Sequence, residues 1–200
     1  MRAPRWIAWI GVTIVGYALG TTLSVAVVGA TARPVSAALN GIVFVALFGA
    51  VVGIGVGAAQ FVVLPRGTAS VRAWILATML GAGSGFAVAS LVGEILGDLI
   101  SPSTNIVLGG GAIQITSGAI VGLGVSLAQW RVVRSMLPTA SWWIVATMVG
   151  TGLRYGAAAA VLELLEVPVL KANLIPAFGA IIGLLAGVSQ SLVLRRSDSL

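Results

Sequence analysis

Cysteine and histidine are absent from this 200-residue sequence, and charged residues make up only 8% of it. Without cysteine the chain has no disulfide and no thiolate, and without histidine it lacks the usual general base and the commonest ligand of zinc, copper and haem. The sequence also contains no Walker loop and no Ser/His/Asp set. We therefore expect no catalytic residue and no metal site, and the sequence leaves any cofactor unknown.

Apolar residues are correspondingly abundant. They make up 58% of the chain, and the mean hydropathy is +1.11, far above that of soluble globular domains. A net charge of +6 would be compatible with nucleic-acid binding if the basic residues formed a patch. They lie instead between long apolar runs, so the expected partner is a lipid bilayer and not nucleic acid.

Six long apolar segments predict six transmembrane helices. Each can cross about 30 Å of hydrocarbon, although Arg154 interrupts one of them. The predicted helices cover approximately residues 6–30, 39–64, 73–94, 106–130, 142–163 and 173–194. In lipid only helices and closed barrels satisfy the backbone, and unbroken Gly/Ala/Leu-rich runs exclude short alternating strands. We predict an all-α integral membrane protein with a single transmembrane domain, residues 1–200.

The charges between the helices predict the orientation. Most basic residues fall on one side of the membrane: Arg2, Arg5, Arg66, Arg72, Arg131, Arg134, Arg195 and Arg196. Only Arg33 and Lys171 fall in loops on the other side, where Glu94 and Glu163 also lie. By the positive-inside rule the first side, with both termini, is cytoplasmic. All six tryptophans lie at this inner boundary, and we interpret them as interfacial anchors.

An internal repeat organises the chain. A shift of 69 positions aligns the segment 49–83 with 118–152 without a gap, which indicates a repeated architecture. The odd-numbered helices begin with the pattern Trp-Ile-x-x-Thr-x-x-Gly, starting at Trp9, Trp74 and Trp143. The sequence therefore predicts three tandem helical hairpins, residues 1–68, 69–137 and 138–200, with pseudo-threefold symmetry about the membrane normal.

The even-numbered helices carry small residues every four positions. The stripes consist of Gly49, Gly53 and Gly57, then Gly118, Gly122 and Ser126, and then Gly179, Gly183 and Gly187. Lipid provides no hydrophobic drive between helices, and glycine lets two backbones approach closely, so these stripes predict tight helix packing of the glycine-zipper kind. We expect the three even helices to lie together at the centre of the bundle, with the odd helices outside them.

Each small-residue stripe ends in a glutamine, namely Gln60, Gln129 or Gln190. The spacing keeps each glutamine on the face of its stripe, so the three can form a polar ring near the cytoplasmic ends of the central helices. In a structural interpretation the amides bond one another or nearby carbonyls and fix the helix register. In a functional one they form a polar constriction, or coordinate an ion or the magnesium of a pigment. The structural interpretation is favoured.

Arg154 and Gln114 depart from the repeat. Arg154 stands where the other repeats have glycine, on a face that points into the bundle, and Gln114 stands where they have Val45 and Ile175. An arginine at this depth costs at least about 2.5 kcal/mol, so it marks either a functional site or a satisfied structural contact. We hypothesise an outward-open pocket with Arg154 at its floor and Gln114 beside it, suited to an anionic headgroup or a small anion.

One segment carries a family resemblance. The residues Ala128, Gln129, Trp130, Arg131, Val132, Val133 and Arg134, followed by Trp142 and Trp143, stand in this order. This segment resembles a family of uncharacterised bacterial multi-span membrane proteins with repeated Ala-Gln-Trp and basic-loop signatures, although Phe61 and Ser191 replace the tryptophan in the other repeats. The resemblance implies a multi-pass protein of a bacterial inner (plasma) membrane and a repeated topology, with no activity to transfer.

Two classes of function remain. The first is a non-enzymatic accessory or structural component that binds a partner membrane subunit or lipid headgroups. The second is a transporter or channel for a small solute, such as an anion or a vitamin-like molecule, with its site near Arg154; size and helix number are similar to the substrate-binding subunits of vitamin transporters. Transporters usually line a midplane site with several ionisable groups or broken helices. Arg154 is the only charged residue deep in a predicted span, so the first class is favoured.

Overall fold

The computed structural model describes residues 5–31, 37–64, 70–100, 106–135, 140–164 and 175–197. The described residues form six α-helices: α1 (Arg5–Thr31), α2 (Ala37–Phe61), α3 (Val71–Ile100), α4 (Ile106–Val133), α5 (Ala140–Leu164) and α6 (Ile175–Ser197). The all-α prediction is therefore confirmed. The predicted repeat boundaries after residues 68 and 137, and the predicted start of the last helix at residue 173, fall outside the described residues.

Five of the six helices are long and apolar enough to cross a membrane. The qualifying segments are Arg5–Ala30, Gly41–Phe61, Val71–Leu99, Gly111–Val133 and Ile175–Arg195. Helix α5 is the exception: it contains Arg154, and its second half includes Gly156 and a run of four alanines at 157–160. By length and composition these five helices are those of a membrane protein. The span in α5 stays a prediction.

Local hydrogen bonds set several helix ends. The Ser70 hydroxyl accepts a bond from the Ala73 backbone N–H at 3.1 Å, which is the N-cap arrangement that satisfies a free donor of a first turn. Helix α2 ends at Phe61 in a tighter turn, where the Val63 N–H donates to the Gln60 carbonyl at 3.1 Å. Helix α3 continues six residues beyond the predicted end at 94, because a helix that satisfies its own backbone can extend past the hydrocarbon.

The helices contact one another in a closed ring, in the order α1, α2, α3, α4, α5, α6 and back to α1. Among the described residues, the main chain of each even helix approaches only odd helices. The expected central trio of even helices is therefore corrected to a ring of six, in which odd and even helices alternate. The α5–α6 interface is the least extensive of the six.

The glycine stripes explain this correction, because they pack on the neighbouring odd helix and not on one another. A Cβ built on Gly53 would lie 2.6 Å from the carbonyl oxygen of Thr78, and one on Gly122 would lie 2.6 Å from that of Thr147. On Gly183 the corresponding distance, to the Thr13 carbonyl, is 2.8 Å. All three distances are too short for a real side chain. Glycine is thus required wherever an even helix meets the next odd helix.

Each odd helix likewise presents glycine to the even helix that follows it in the chain. A Cβ on Gly16 would lie 2.8 Å from Val56 Cα in α2, and one on Gly81 would lie 2.7 Å from Val125 Cα in α4. Rising residue numbers on one helix meet falling numbers on its neighbour at these contacts, so adjacent helices run antiparallel. The large side chains then point outward, and Leu19, Leu80 and Leu153 are more than half exposed, as expected for a surface that faces acyl chains.

A glycine-to-alanine pair in α2 tests this packing. We expect Gly53→Ala to lower the free energy of unfolding by about 1–3 kcal/mol, because the new methyl group forces two backbones apart. Gly41→Ala is the matched control, since nothing lies within 4 Å of a Cβ at Gly41, and alanine there gains up to about 1 kcal/mol of helix propensity. Thermal unfolding in one detergent measures both. Equal stability of the two variants would contradict the packing described here.

Candidate functional site

Three buried tryptophans close one end of the ring, which we call the tryptophan end. Trp9, Trp74 and Trp143 are at most 2% exposed. Trp9 meets Trp74 edge-on with ring centroids 6.2 Å apart, and it meets Trp143 in the same way at 5.5 Å. Val133, Ala140 and Val193 pack against the rings. The interpretation of all six tryptophans as interfacial anchors is therefore wrong for these three, which form the core of the closed end; Trp142, in contrast, is 53% exposed.

All three glutamines bond to threonines, and two of them also bond to these tryptophans. The Trp9 indole N–H donates to Gln190 Oε1 at 3.0 Å, and the Trp143 N–H donates to Gln129 Oε1 at 3.1 Å. Each glutamine then donates from Nε2 to a threonine hydroxyl of a neighbouring odd helix. The acceptors are Thr13 for Gln60 at 3.2 Å, Thr78 for Gln129 at 2.9 Å and Thr147 for Gln190 at 3.2 Å. The amides of Gln129 and Gln190 thus each link two odd helices through the even helix between them.

One link of this layer is incomplete. Trp74 Nε1 and Gln60 Oε1 are both buried and have no hydrogen-bond partner. They are a donor and an acceptor, and they occupy the positions that pair as Trp143 with Gln129 on the neighbouring helices. Gln60 instead donates to Gln190 Oε1 at 3.2 Å. The layer therefore holds two of the three possible tryptophan–glutamine bonds. The groups of the third, the Trp74 N–H donor and the Gln60 Oε1 acceptor, are chemically suited to bond each other.

A small cavity, which we call the chamber, lies on the bundle axis beside this layer. Its volume is about 20 Å³, and all six helices contribute to its wall. The polar residues that line it are Tyr17, Gln60, Thr78, Gln129, Thr147, Thr151, Arg154, Ser189 and Gln190. By this measure a cavity of about 10–15 Å³ holds one water molecule. The chamber is thus polar and large enough for about one species of that size.

Arg154 reaches into the chamber from α5 and is only 2% exposed. Its guanidinium carbon lies 4.4 Å from the ring centroid of Tyr17 in α1 and 5.4 Å from that of Tyr155. Both distances are within the range of a cation–π contact. Its Nε and Nη1 atoms nevertheless have no hydrogen-bond partner. The aromatic rings therefore hold the cation in position and leave two of its donor nitrogens unsatisfied.

A much larger cavity, which we call the vestibule, continues away from the tryptophan end. Its volume is about 520 Å³, and it again draws residues from all six helices. The wall is mainly apolar and contains Phe48, Val52, Phe86, Phe178 and Ile182. Four residues with polar groups, Tyr17, Thr21, Gln114 and Tyr155, also line it. Pockets of about 300–1,000 Å³ with an apolar wall and a few polar groups are the usual form of a small-molecule site.

Gln114 and Arg154, which we expected side by side, line different cavities. Arg154 lines the chamber, while Gln114 lines the vestibule and is exposed. Gln114 also lines a side cavity of about 450 Å³, together with Glu94 and Tyr155. Four other charged residues lie outside the described residues: Arg33, Arg66, Glu166 and Lys171. The structure does not describe the side chain of Glu163. The three predicted glutamines, in contrast, are brought together around one cavity.

The two tyrosines were missed at the level of sequence, although they are the only tyrosines in the chain. Tyr17 stands where the other odd helices have Ala82 and Thr151, and Tyr155 stands where they have Thr21 and Phe86. At neither position do the other two repeats share a residue, so comparison of the repeats does not single out the tyrosines as it singles out Arg154 against Gly20 and Gly85. Their signal in the sequence is the helical spacing that places them on the same inward face as Arg154.

No protein-family model, curated protein or solved structure matches the chain. In the part of the chain that the structure describes, no group of three or more His, Cys, Asp or Glu residues lies close enough to hold a metal ion. The groups that line the site offer hydrogen bonding and one positive charge in the chamber, and apolar contact in the vestibule.

Adjacent tryptophans on α5 provide a matched test of the closed end. Trp143→Phe removes the N–H that bonds Gln129 and reduces packing against Trp9, so we expect a loss of about 1–3 kcal/mol in the free energy of unfolding. Trp142→Phe changes a side chain that is 53% exposed, so we expect a smaller loss than for Trp143→Phe. Thermal unfolding of both variants in the same lipid–detergent mixture gives the comparison. A larger loss for Trp142→Phe would show that the closed end is misassigned.

Proposed function

We propose that the chain is a non-enzymatic multi-span membrane protein that binds a membrane lipid in its vestibule. The observation that carries this proposal is an axial cavity of about 520 Å³ with a mainly apolar wall. Within lipid an apolar groove gains little from an acyl chain. Residues of all six helices wall this cavity, so the gain comes from its lining: an acyl chain that fills it removes the apolar wall from water, at about 25 cal/mol per Å² of apolar surface buried.

The polar residues of the vestibule favour a lipid with a hydrogen-bonding headgroup. Tyr17, Gln114 and Tyr155 are its phenol and amide groups, and Glu94 lines the side cavity that shares Gln114 and Tyr155 with it. A ligand with an apolar body and one polar end matches this distribution. A partner membrane subunit, the other occupant considered from sequence, would meet a groove of about 350 Å³ between α5 and α6, lined by Trp142, Leu153 and Leu192. We favour the vestibule because it is larger and combines an apolar wall with several polar groups.

The repeat and the orientation complete the proposal. We place α5 across the membrane as a sixth span, because α4 and α6 flank it in the ring and its arginine faces the interior. The three hairpins then form a pseudo-threefold ring, which the three recurrent glycine contacts and the three glutamine–threonine bonds support. The tryptophan end faces the cytoplasm of a bacterial cell, and the vestibule opens on the outer side of the inner membrane.

A small-solute transporter is the second candidate. It is favoured by the shared lining of the two axial cavities, since Tyr17, Val52 and Phe86 border both the chamber and the vestibule. A solute in the vestibule would need Tyr17 to move before it reached the chamber. It would then meet the glutamine layer and three buried tryptophans. Because this closed end is packed and hydrogen-bonded, we rank transport below lipid binding.

Filling the vestibule tests lipid binding. We expect wild-type protein purified in a mild detergent to retain about one lipid per chain, and Ala158→Trp to reduce that occupancy at least tenfold, since Ala158 lines the vestibule. Ala157→Trp is the control, because Ala157 is exposed on the same helix. Native mass spectrometry measures the bound lipid. If Ala158→Trp folds with the stability of the control and keeps its lipid, the proposal is wrong.

Single cysteines test the orientation without background, since the chain has none of its own. Asp98 and Arg134 are both exposed and lie beyond opposite ends of the bundle. We expect a membrane-impermeant maleimide to label the Asp98→Cys variant in intact cells, and the Arg134→Cys variant only after permeabilisation. The opposite pattern would invert the predicted topology.

A further inference from the structure

The unsatisfied guanidinium of Arg154 indicates a ligand in the chamber. Arginine keeps its positive charge in proteins, and a buried charge without a paired charge or full hydrogen bonding is strongly unfavourable. Arg154 is 2% exposed, and both Nε and Nη1 lack a hydrogen-bond partner. These two nitrogens belong to a residue that lines the chamber. An acceptor in that cavity would satisfy them.

The carboxylates whose side chains the structure describes do not supply this acceptor. They are Glu94 and Asp98, both exposed on α3. Glu94 lies eight residues beyond Phe86, or about 12 Å further along the helix axis, and Asp98 lies about 6 Å further still. Phe86 already marks the rim that the chamber shares with the vestibule. The faces of Tyr17 and Tyr155 contact the cation, but they carry no negative charge to compensate it.

The dimensions of the chamber restrict the acceptor to a small one. A volume of about 20 Å³ suits one water-sized species, and a free phosphate, sulfate or organic carboxylate ion is larger than that. The wall also carries donor groups besides the guanidinium, among them the hydroxyls of Thr147 and Thr151, which are 4% and 3% exposed. A cationic group with hydroxyl donors in a nearly dry cavity is suited to an anion.

We propose that the chamber binds a single monatomic anion of the halide class, held by the Arg154 guanidinium and the adjacent threonine hydroxyls. The anion neutralises the buried charge and accepts hydrogen bonds from Nε and Nη1. This site is separate from the lipid pocket, since it occupies the chamber and not the vestibule, and its existence does not depend on lipid binding. The equivalent positions in the other two repeats are Gly20 and Gly85. The anion site therefore explains why only the third repeat has an arginine here.

Halide titration of the purified protein tests this site. We expect the Tm of the wild-type protein in detergent to rise by at least about 3 °C when sodium gluconate is replaced by sodium chloride or bromide at constant ionic strength, with saturation. Gluconate and sulfate are too large for the chamber and should give no saturable rise. Arg154→Leu should abolish the halide response, while Gln114→Leu, which alters an exposed residue of the vestibule, should retain it.

A second measurement uses the wild-type chain and so remains decisive if Arg154→Leu does not fold. Crystals grown in bromide should give one anomalous peak within about 3.5 Å of the Arg154 guanidinium, inside the chamber. Absence of that peak, at a bromide concentration that saturates the wild-type Tm or at molar bromide if the Tm does not respond, overturns the proposal and assigns the chamber to water. Lipid occupancy by mass spectrometry is read separately, so loss of one site leaves the other testable.

Discussion

Close approach of helix backbones through glycine is the constraint on which the rest of the structure depends. Inside lipid there is no hydrophobic gain from bringing helices together, so association relies on contact area and on hydrogen bonds between helices. Each even helix meets the next odd helix at a glycine where no side chain would fit, as at Gly53, Gly122 and Gly183. Because odd helices also present glycines to even ones, every helix is held from two sides, and the result is a ring and not a central trio.

The ring in turn places the polar groups. Antiparallel neighbours bring the beginning of each odd helix beside the end of an even one, so the tryptophans and the glutamines meet at the same end of the bundle. An amide that accepts from an indole and donates to a threonine joins three helices, at a gain of roughly 0.6–2 kcal/mol for each bond in a membrane. Closure of one end by these bonds leaves the remaining axial space to the chamber and the vestibule, and Arg154 lies near the border between them.

Much of this could be predicted from the sequence, because the periodicity of small residues and the length of apolar runs are local properties. The positions of Gly49, Gly53 and Gly57 identify the helix face that carries small residues. The neighbour that this face contacts depends on the whole ring, so the predicted central trio of even helices was wrong. The depth of Trp9, Trp74 and Trp143 was predicted, but a tryptophan at the membrane boundary can face either the headgroups or the bundle axis, and only packing decides. Arg154 was predicted to face the bundle interior, and it is 2% exposed; its contact with Tyr17 was not predicted, because that residue lies 137 positions away in the sequence.

The closed tryptophan end has a kinetic consequence for anything that binds on the axis. A cavity that is closed at the tryptophan end exchanges its ligands only on the other side of that layer, so association and dissociation share the same routes. A ligand in the vestibule lies on the exit route of any small ion beneath it and slows the release of that ion. Residence times at the two sites would therefore be ordered by depth, with the deeper species released last.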